Sequence, residues 1–318
     1  MNVKILPIPG LLDDLRPLPP EEYHARPELS SGQAKRFIVD GPADYHAEKM
    51  GWLPPITDPD KFVCKFDEGT LTHAEILEPH RVDEMVAEIP DEWLIVAESG
   101  DSEDGIETAV PLLKKNGARN TRGANQEQAW REFKAANPGK MLLKRDEIAK
   151  TKGMGRAVTT YLGALMGTEH LTEPSIFWQD EIGRCRARPD FLTLRPGGAT
   201  VIDVKTTGAR NPRAFRRIMN NLGYVWQAAH YIAGVKAVLG VDDVDFIFVG
   251  VHNPPTKTTL SDNYPWKVWG SRFRDEDLAK ANALWIEARE DIKAREASDD
   301  WNDPDAGRID EVKHWFDD

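Results

Sequence analysis

The chain has 318 residues, 40% of them apolar and 30% charged, with a net charge of −12 at neutral pH. That suits one large globular domain or two small ones, and the acidic balance excludes a protein that coats nucleic acid without specificity. Its only cysteines, Cys64 and Cys185, exclude a disulfide framework and a four-cysteine zinc or iron–sulfur site.

No apolar run reaches the roughly 18 residues of a membrane span. The opening MNVKILPIPGLLDDLRPLPP lacks a basic start, a long apolar core and a small-residue cleavage site, so no signal peptide is expected. A reduced, cytoplasmic setting fits, with no membrane partner.

Residues 1–20 are proline-rich and read as an extended arm. Leu29 to Gln33 opens a short helix through Phe37, with Ser30 or Ser31 as its cap. Phe66 to Pro79 reads as a helix bounded by Gly69 and Pro79, with Leu71, Ala74 and Leu77 or Glu78 on repeating faces. Glu92 to Ala97 reads as a strand, Ser99 to Gly105 as an acidic turn-rich excursion and Asn120 to Gly123 as a loop. Gln126 to Ala136 reads as a helix stopped at Asn137-Pro138-Gly139. Asp146 to Met166 continues helically despite Gly153 and Gly155 and is expected to cover a sheet. Pro174 to Trp178 is a strand candidate preceded by Glu173.

The most informative stretch runs from Arg184 to Tyr231. Arg184 to Leu194 reads as a strand, Arg195-Pro196-Gly197-Gly198 as a turn, and Ala199 to Val204 as a short buried strand closed by Gly208 and Pro212. Such a hairpin places Asp190 on its first strand beside Asp203 on its second. Period-2 geometry points Asp203 and Lys205 to one face. Two carboxylates and a lysine converging at a sheet edge suit a hard divalent cation and an activated water.

From Glu181 to Arg217 there are nine Arg and Lys against three Asp and Glu, so positive charge concentrates around the candidate site. Arg195 reads as a solvated arginine. Arg210, Arg213, Arg216 and Arg217 stand between DNA contact and plain solvation, and Arg186, Arg188 and Thr206 join them as DNA-binding candidates.

Arg213 to Asn220 reads as a short helix and Tyr224 to Val238 as a longer one, with Gln227 and Tyr231 stacked on one face. Asp245 to Val251 has the apolar character of a central strand. Asp275 to Glu296 is a charged amphipathic helix with Leu278, Leu284, Trp285 and Ile292. Residues 298–318 carry eight acids and two tryptophans and read as a solvated tail. A docking role for this tail, on a recombination partner or in the DNA groove, is the alternative.

Pro189-Asp190 followed by Asp203-Val204-Lys205 resembles the PD-(D/E)XK nuclease superfamily. Arg-Ala-Arg-Pro-Asp (186–190), Asp-Val-Lys-Thr-Thr (203–207) and Gly-Tyr-x-x-Gln-Ala-Ala-x-Tyr (223–231) resemble the exonuclease VIII (RecE-type) phage and prophage nucleases. Gly69-Thr70-x-x-His73 with Leu77-Glu78-Pro79 is similar to a family segment whose histidine sits at the metal site.

The resemblance implies an α/β fold with a PD-(D/E)XK nuclease-like core, a central mixed β-sheet flanked by helices. It implies a core domain over 46–297, joined to an arm and short helix over 1–45 and followed by the tail. Asp190, Asp203, the Val204 carbonyl and His73 are then expected to hold Mg²⁺ or Mn²⁺, with Asp190, Asp203, Lys205, Gln227 and Tyr231 catalytic. Glu22, near the family's opening acidic residue, and Glu173, before the hairpin, are further candidates; for each the plain reading comes first, an exposed acid in a loop for Glu22 and a solvent-facing strand start for Glu173. Asp203 departs from the Glu of many superfamily members.

The implied activity is exonuclease digestion of linear double-stranded DNA from 5′ ends by a ring oligomer, leaving 3′ strands for a single-strand annealing protein. Alternatives are a structure-specific or single-strand nuclease of the superfamily, or a catalytically silent DNA-binding scaffold.

Overall fold

The structure is a computed structural model that describes residues 15–52, 65–90, 132–166, 170–254 and 264–303. Helices α1 (Pro20–Ala25), α2 (Ser31–Asp40) and α3 (Pro42–Lys49) lead the chain, with a short strand β1 (Leu29–Ser30) ahead of α2. Ser30 caps α2 in a capping box: its hydroxyl accepts from the Gln33 amide, and the Gln33 side chain accepts from the Ser30 amide at 2.9 Å. The expected arm thus ends in a helical turn, α1, that its prolines did not foreshadow.

Next come α4 (Lys65–Leu77), α5 (Val82–Met85) and two short paired strands, β2 (Val86–Glu88) and β3 (Met141–Leu143). Helix α4 begins ahead of Gly69, so this glycine is not its boundary. It lies within the helix where the Thr206 hydroxyl approaches; a Cβ there would stand 3.2 Å from Oγ1. The strand, turn and loop expected over 92–97, 99–105 and 120–123 lie outside the described residues. Residues 132–136 are helical and turn at 137–139, as the Asn-Pro-Gly stop requires.

Helix α6 (Arg145–Leu165) is followed by β4 (His170–Thr172), β5 (Ile176–Gln179), β6 (Arg184–Ala187), β7 (Phe191–Arg195) and β8 (Gly198–Thr207). Helices α7 (Pro212–Asn221) and α8 (Tyr224–Leu239), strands β9 (Asp243–His252) and β10 (Val268–Ser271), and helix α9 (Asp275–Ser298) complete the described chain.

The central sheet is mixed, in the order β10-β9-β8-β7-β4, with β8 and β9 parallel and the other neighbours antiparallel. Its two faces sort by the strand period of two. Leu192, Val201, Phe246 and Phe248 pack toward Phe215 of α7 and Tyr231 and Val235 of α8. Phe191, Ile202, Val204, Val249 and Val251 pack toward Met154, Val158 and Leu162 of α6. Helix α6 covers the sheet as expected, and β9 reads as a near-continuous apolar run because both its faces are buried.

The hairpin between β7 and β8 turns at Pro196 and Gly197, with Arg195 paired to Gly198. Proline holds the first central φ near −65°, and Gly197 takes φ 78°, the combination of a type II turn. One expectation is corrected here. Arg184–Leu194 is not a single strand: β6 belongs to a second sheet, β1-β6-β5, and β7 to the central one. Pro189 has no amide hydrogen for a ladder, so the chain crosses between sheets at 188–190.

The start of the expected tail is also not a solvated coil. Trp301 stacks on His46 of α3, ring centroids 4.6 Å apart, and packs on a cluster of Phe37, Tyr45, Ala288 and Ile292. Residues 304–318 lie outside the described residues.

Candidate active site

The site forms where the β7–β8 ladder runs out. Phe191 pairs with Ile202, and beyond that pair β8 continues alone on this side with Asp203, Val204 and Lys205. The Val204 amide, left without a strand partner, donates to Asp190 Oδ2 at 2.6 Å. Asp190 therefore sits in the bend just before β7, not on the strand, and substitutes a carboxylate for the next rung of the sheet. In an extended strand the N–H and C=O of one residue leave on the same side, so the Val204 carbonyl opens toward the same space.

Asp203 and Lys205 share a face, as the period of two requires. Lys205 Nζ lies 2.6 Å from Asp203 Oδ2. Gln227 of α8 donates to the other oxygen, Oδ1, at 2.7 Å. His73 of α4 approaches from the opposite flank, its Nδ1 3.6 Å from Asp190 Oδ1. Tyr231, one turn beyond Gln227, donates from its hydroxyl to the Arg188 carbonyl at 3.3 Å and so braces the link that carries Asp190. The aromatic rings of Tyr224 and Phe248 flank the Lys205 ammonium at 5.2 and 6.0 Å.

Burial and charge pull the two carboxylates apart. Burial pushes Asp203 up and the charge of Asp190 adds to it, against the opposing pull of Lys205. For Asp190, burial is outweighed by His73, Lys205 and the Val204 amide, and its carboxyl falls below the usual range. Burial opposes charge on His73 and Lys205 too, yet Asp190 raises the imidazole and Asp203 with Asp190 raises the ammonium. The Tyr231 phenol is pushed up to about 12 by burial and by Asp203.

Residues 33–294 match the PDDEXK-like domain of unknown function, DUF3799. The chain belongs to that family. No curated protein matches it. It is similar to the crystal structure of a candidate exonuclease from Eubacterium rectale, at 11% identity and a TM-score of 0.50, over 94% of this chain and 96% of that one. It is also similar to a phage-related exonuclease from Haemophilus somnus 129PT, at 13% identity and a TM-score of 0.32, over 56% of this chain and 84% of the other. The first of these likenesses shows a shared fold.

The donor set of this PDDEXK-like chain fits a hard divalent cation. Asp203 Oδ2 is buried and, although close to Lys205, receives no aligned hydrogen bond. Among the described residues no three His, Cys, Asp or Glu side chains close around one point. A Mg²⁺ ion, which takes one or two carboxylates and completes its shell with water and substrate phosphate, does not require such a trio. Asp190, Asp203 and the Val204 carbonyl are the oxygens that could hold it, and His73 Nδ1 stands 3.6 Å from Asp190 Oδ1.

The remaining candidates divide. Glu173 belongs to the site's rim: its amide donates to the Asp190 carbonyl at 2.9 Å, and burial, offset by Arg188 and reinforced by Asp190, raises its carboxyl. Its φ of 47° is a left-handed conformation, unusual for Glu, at the point where the chain leaves β4 of the central sheet for β5 of the second. Glu22 is exposed on α1, away from any contact with the carboxylates among the described residues.

Arg186 corrects the DNA-binding expectation. It is buried, and its Nη1 donates to the carbonyls of Tyr23 and His24, at 2.8 and 3.3 Å, and of Arg26. It ties the C-terminal end of α1 to β6 and has no exposure for phosphate. Arg188 is half-buried, 3.8 Å from Glu173 and over the Tyr23 ring at 4.6 Å. Arg195 is paired with Asp243 and, at 3.3 Å, with Asp245. Thr206 faces α4 at Gly69. Arg210, Arg213, Arg216 and Arg217 are exposed; on α7 the arginines oppose the buried Phe215 and Met219.

One set of residues carried no expectation at all. Glu68 of α4 pairs with the buried Lys150 of α6 and accepts from Asn253 Nδ2 at 2.9 Å. The Asn253 amide in turn donates to the Thr207 carbonyl, at the end of the strand that carries Asp203 and Lys205, at 2.7 Å. The signal was in the sequence: Lys150 stands in register with Met154 and Val158, on the apolar stripe of α6.

Proposed function

We propose that the chain is a metal-dependent exodeoxyribonuclease acting on linear double-stranded DNA. The observation that supports this best is the gathering of Asp190, Asp203, Lys205 and Gln227 at the open end of β8, which continues directly into the exposed arginines of α7.

Asp190, Asp203 and the Val204 carbonyl would hold a divalent ion, Mg²⁺ or Mn²⁺, which would supply polarisation of the scissile phosphate and activation of a water. Lys205 keeps its proton because Asp203 and Asp190 outweigh its burial. It therefore serves as a fixed positive charge toward water or the phosphoryl oxygens, not as a base. Gln227 fixes the rotation of Asp203 by occupying Oδ1, which leaves Oδ2 directed at Lys205 and the reaction space. His73 must shed its proton to join the donor set, so its contribution as a ligand grows with pH. Arg210, Arg213, Arg216 and Arg217 hold the phosphates of the bound duplex.

The finer reading rests on the motif resemblance to the exonuclease VIII type. It is digestion from 5′ ends, 3′ strands left for an annealing protein, and a ring oligomer that encircles DNA. The test is linear duplex labelled at its 5′ or 3′ end beside a closed circle, with Mg²⁺ or with EDTA, for wild type and Lys205→Ala. Early 5′-mononucleotide release with spared circles and an inactive variant is the expected result. Cut circles would show an endonuclease, and no cleavage with any divalent ion would overturn the enzyme reading.

A further inference from the structure

A second feature lies apart from the carboxylates, between α6 and the segment that enters β10. It is a concavity of about 430 Å³ lined by Gly153, Arg156, Ala157, Thr160 and Trp266. Its floor exists because residue 153 is glycine: a Cβ there would overlap the Trp266 indole. Tyr264 packs edge-on against Trp266, ring centroids 4.8 Å apart, so the indole is braced on two sides yet only half-buried. Arg156 lines it and Lys152, one position before Gly153, is exposed beside it, with the Glu75 carboxylate facing both cations. Trp266 also packs against the cluster of Met154, Val158 and Leu162, a role that leucine could fill without exposing an indole.

We propose that this concavity docks a single nucleic-acid strand, with one base stacked on Trp266 and the flanking phosphates on Arg156 and Lys152. A braced, part-exposed aromatic ring rimmed by cations is the arrangement that binds unpaired bases without sequence preference. A duplex buries its base faces in its own stack and offers none to an indole. The volume suits a nucleotide-sized group. The concavity is linked to the cleavage site through the chain itself. The His252 amide donates to the Lys267 carbonyl at 3.0 Å, and the next residue, Asn253, holds Glu68 on the helix that carries His73. That the docked strand is the one left by cleavage rests on the nuclease reading; that the concavity binds a single strand does not.

The experiment uses the full chain in EDTA, with fluorescence anisotropy of a labelled oligothymidylate and of a blunt duplex. Wild type is compared with Trp266→Ala and with Arg156→Glu, whose side chain is exposed and free of core packing. Both variants are expected to bind the oligothymidylate about tenfold more weakly, with duplex affinity and the initial rate of Mg²⁺-dependent duplex cleavage little changed. Unchanged oligothymidylate affinity in Arg156→Glu, or an equal loss for duplex, would overturn the proposal. So would displacement by thymidine monophosphate at the same concentration as the oligomer, which would mark a mononucleotide pocket. Trp266-dependent strand binding in a protein that cleaves nothing would sink the nuclease reading and leave this one standing.

Discussion

Glu68 and Lys150 form an ion pair between α4 and α6 in which the lysine side chain is only 3% exposed. Asn253 takes the second Glu68 oxygen. A buried pair of this kind contributes little net stability compared with apolar residues, but breaking it leaves a charge stranded. Its geometric effect is to tie the helix bearing His73 to the end of β8. Lys150→Met is expected to destabilise the fold by roughly 3–5 kcal/mol. Adding Glu68→Leu should restore much of the melting temperature. If cleavage returned fully with stability in that double variant, the tie would have no part in placing His73.

Within the site, Gln227→Ala should cost roughly 10–100-fold in metal affinity or rate, the usual effect of removing a group that orients a ligand. Lys205→Ala should cost roughly 10²–10³-fold in turnover, the scale of a lost charge stabiliser. A Mg²⁺ titration of cleavage separates the two. The Gln227 variant should need more metal, whereas the Lys205 variant should lose rate at saturation.

Arg186 and the arginines of α7 make opposite predictions. Removing Arg213, Arg216 or Arg217 should weaken DNA binding evenly across sequences and reduce the salt-dependence slope by about one each. Arg186→Ala should lower the melting temperature and leave that slope unchanged, because its guanidinium is spent on the carbonyls of α1. Binding isotherms at several salt concentrations decide both.

His230 is fully buried, with Nε2 donating to the Arg186 carbonyl at 2.8 Å and Nδ1 unpartnered. Burial lowers its pKa from 6.5 to about 4. At pH 7 neither folded nor unfolded chain holds the extra proton. As pH falls through 6.5 the unfolded chain takes it up, while the fold refuses it until about pH 4. Stability should therefore fall across that window by up to roughly 3 kcal/mol. Burial depresses His24 and His252 as well, so the informative comparison is with His230→Gln, whose denaturation midpoint should depend less on pH. Asp180, lowered to about 2 by its hydrogen bonds with Arg289, acts in a separate window. Its contribution is present above the ordinary carboxylate range and is lost only as pH falls toward 2.

The legible parts of the fold were those where local chemistry and tertiary context agree. The Pro196-Gly197 turn, the Ser30 cap and the apolar run of β9 each follow from rules that act over a few residues. The pairing of Asp203 with Lys205 needed only the strand period. Asp190's place did not follow, because it depends on β6 and β7 lying in different sheets, which no local pattern around Pro189 encodes. Arg186 misled because positive charge near a candidate site reads the same whether it faces phosphate or three backbone carbonyls. Strands β4 and β10 lack strong alternation and exist because the central sheet supplies edges for them. Glu68, Lys150 and Asn253 lie far apart in sequence and meet only through the packing of α4 on α6.

The hairpin that carries the carboxylates has its tip at Pro196 and Gly197 and its chemistry at the other end. Asp203 lies six positions along extended strand from Gly197, about 20 Å at the usual rise. Leu194, close to the tip, is already part-exposed. A reporter dye or short peptide insert placed at the tip would thus report on the loading of DNA from outside the reaction space.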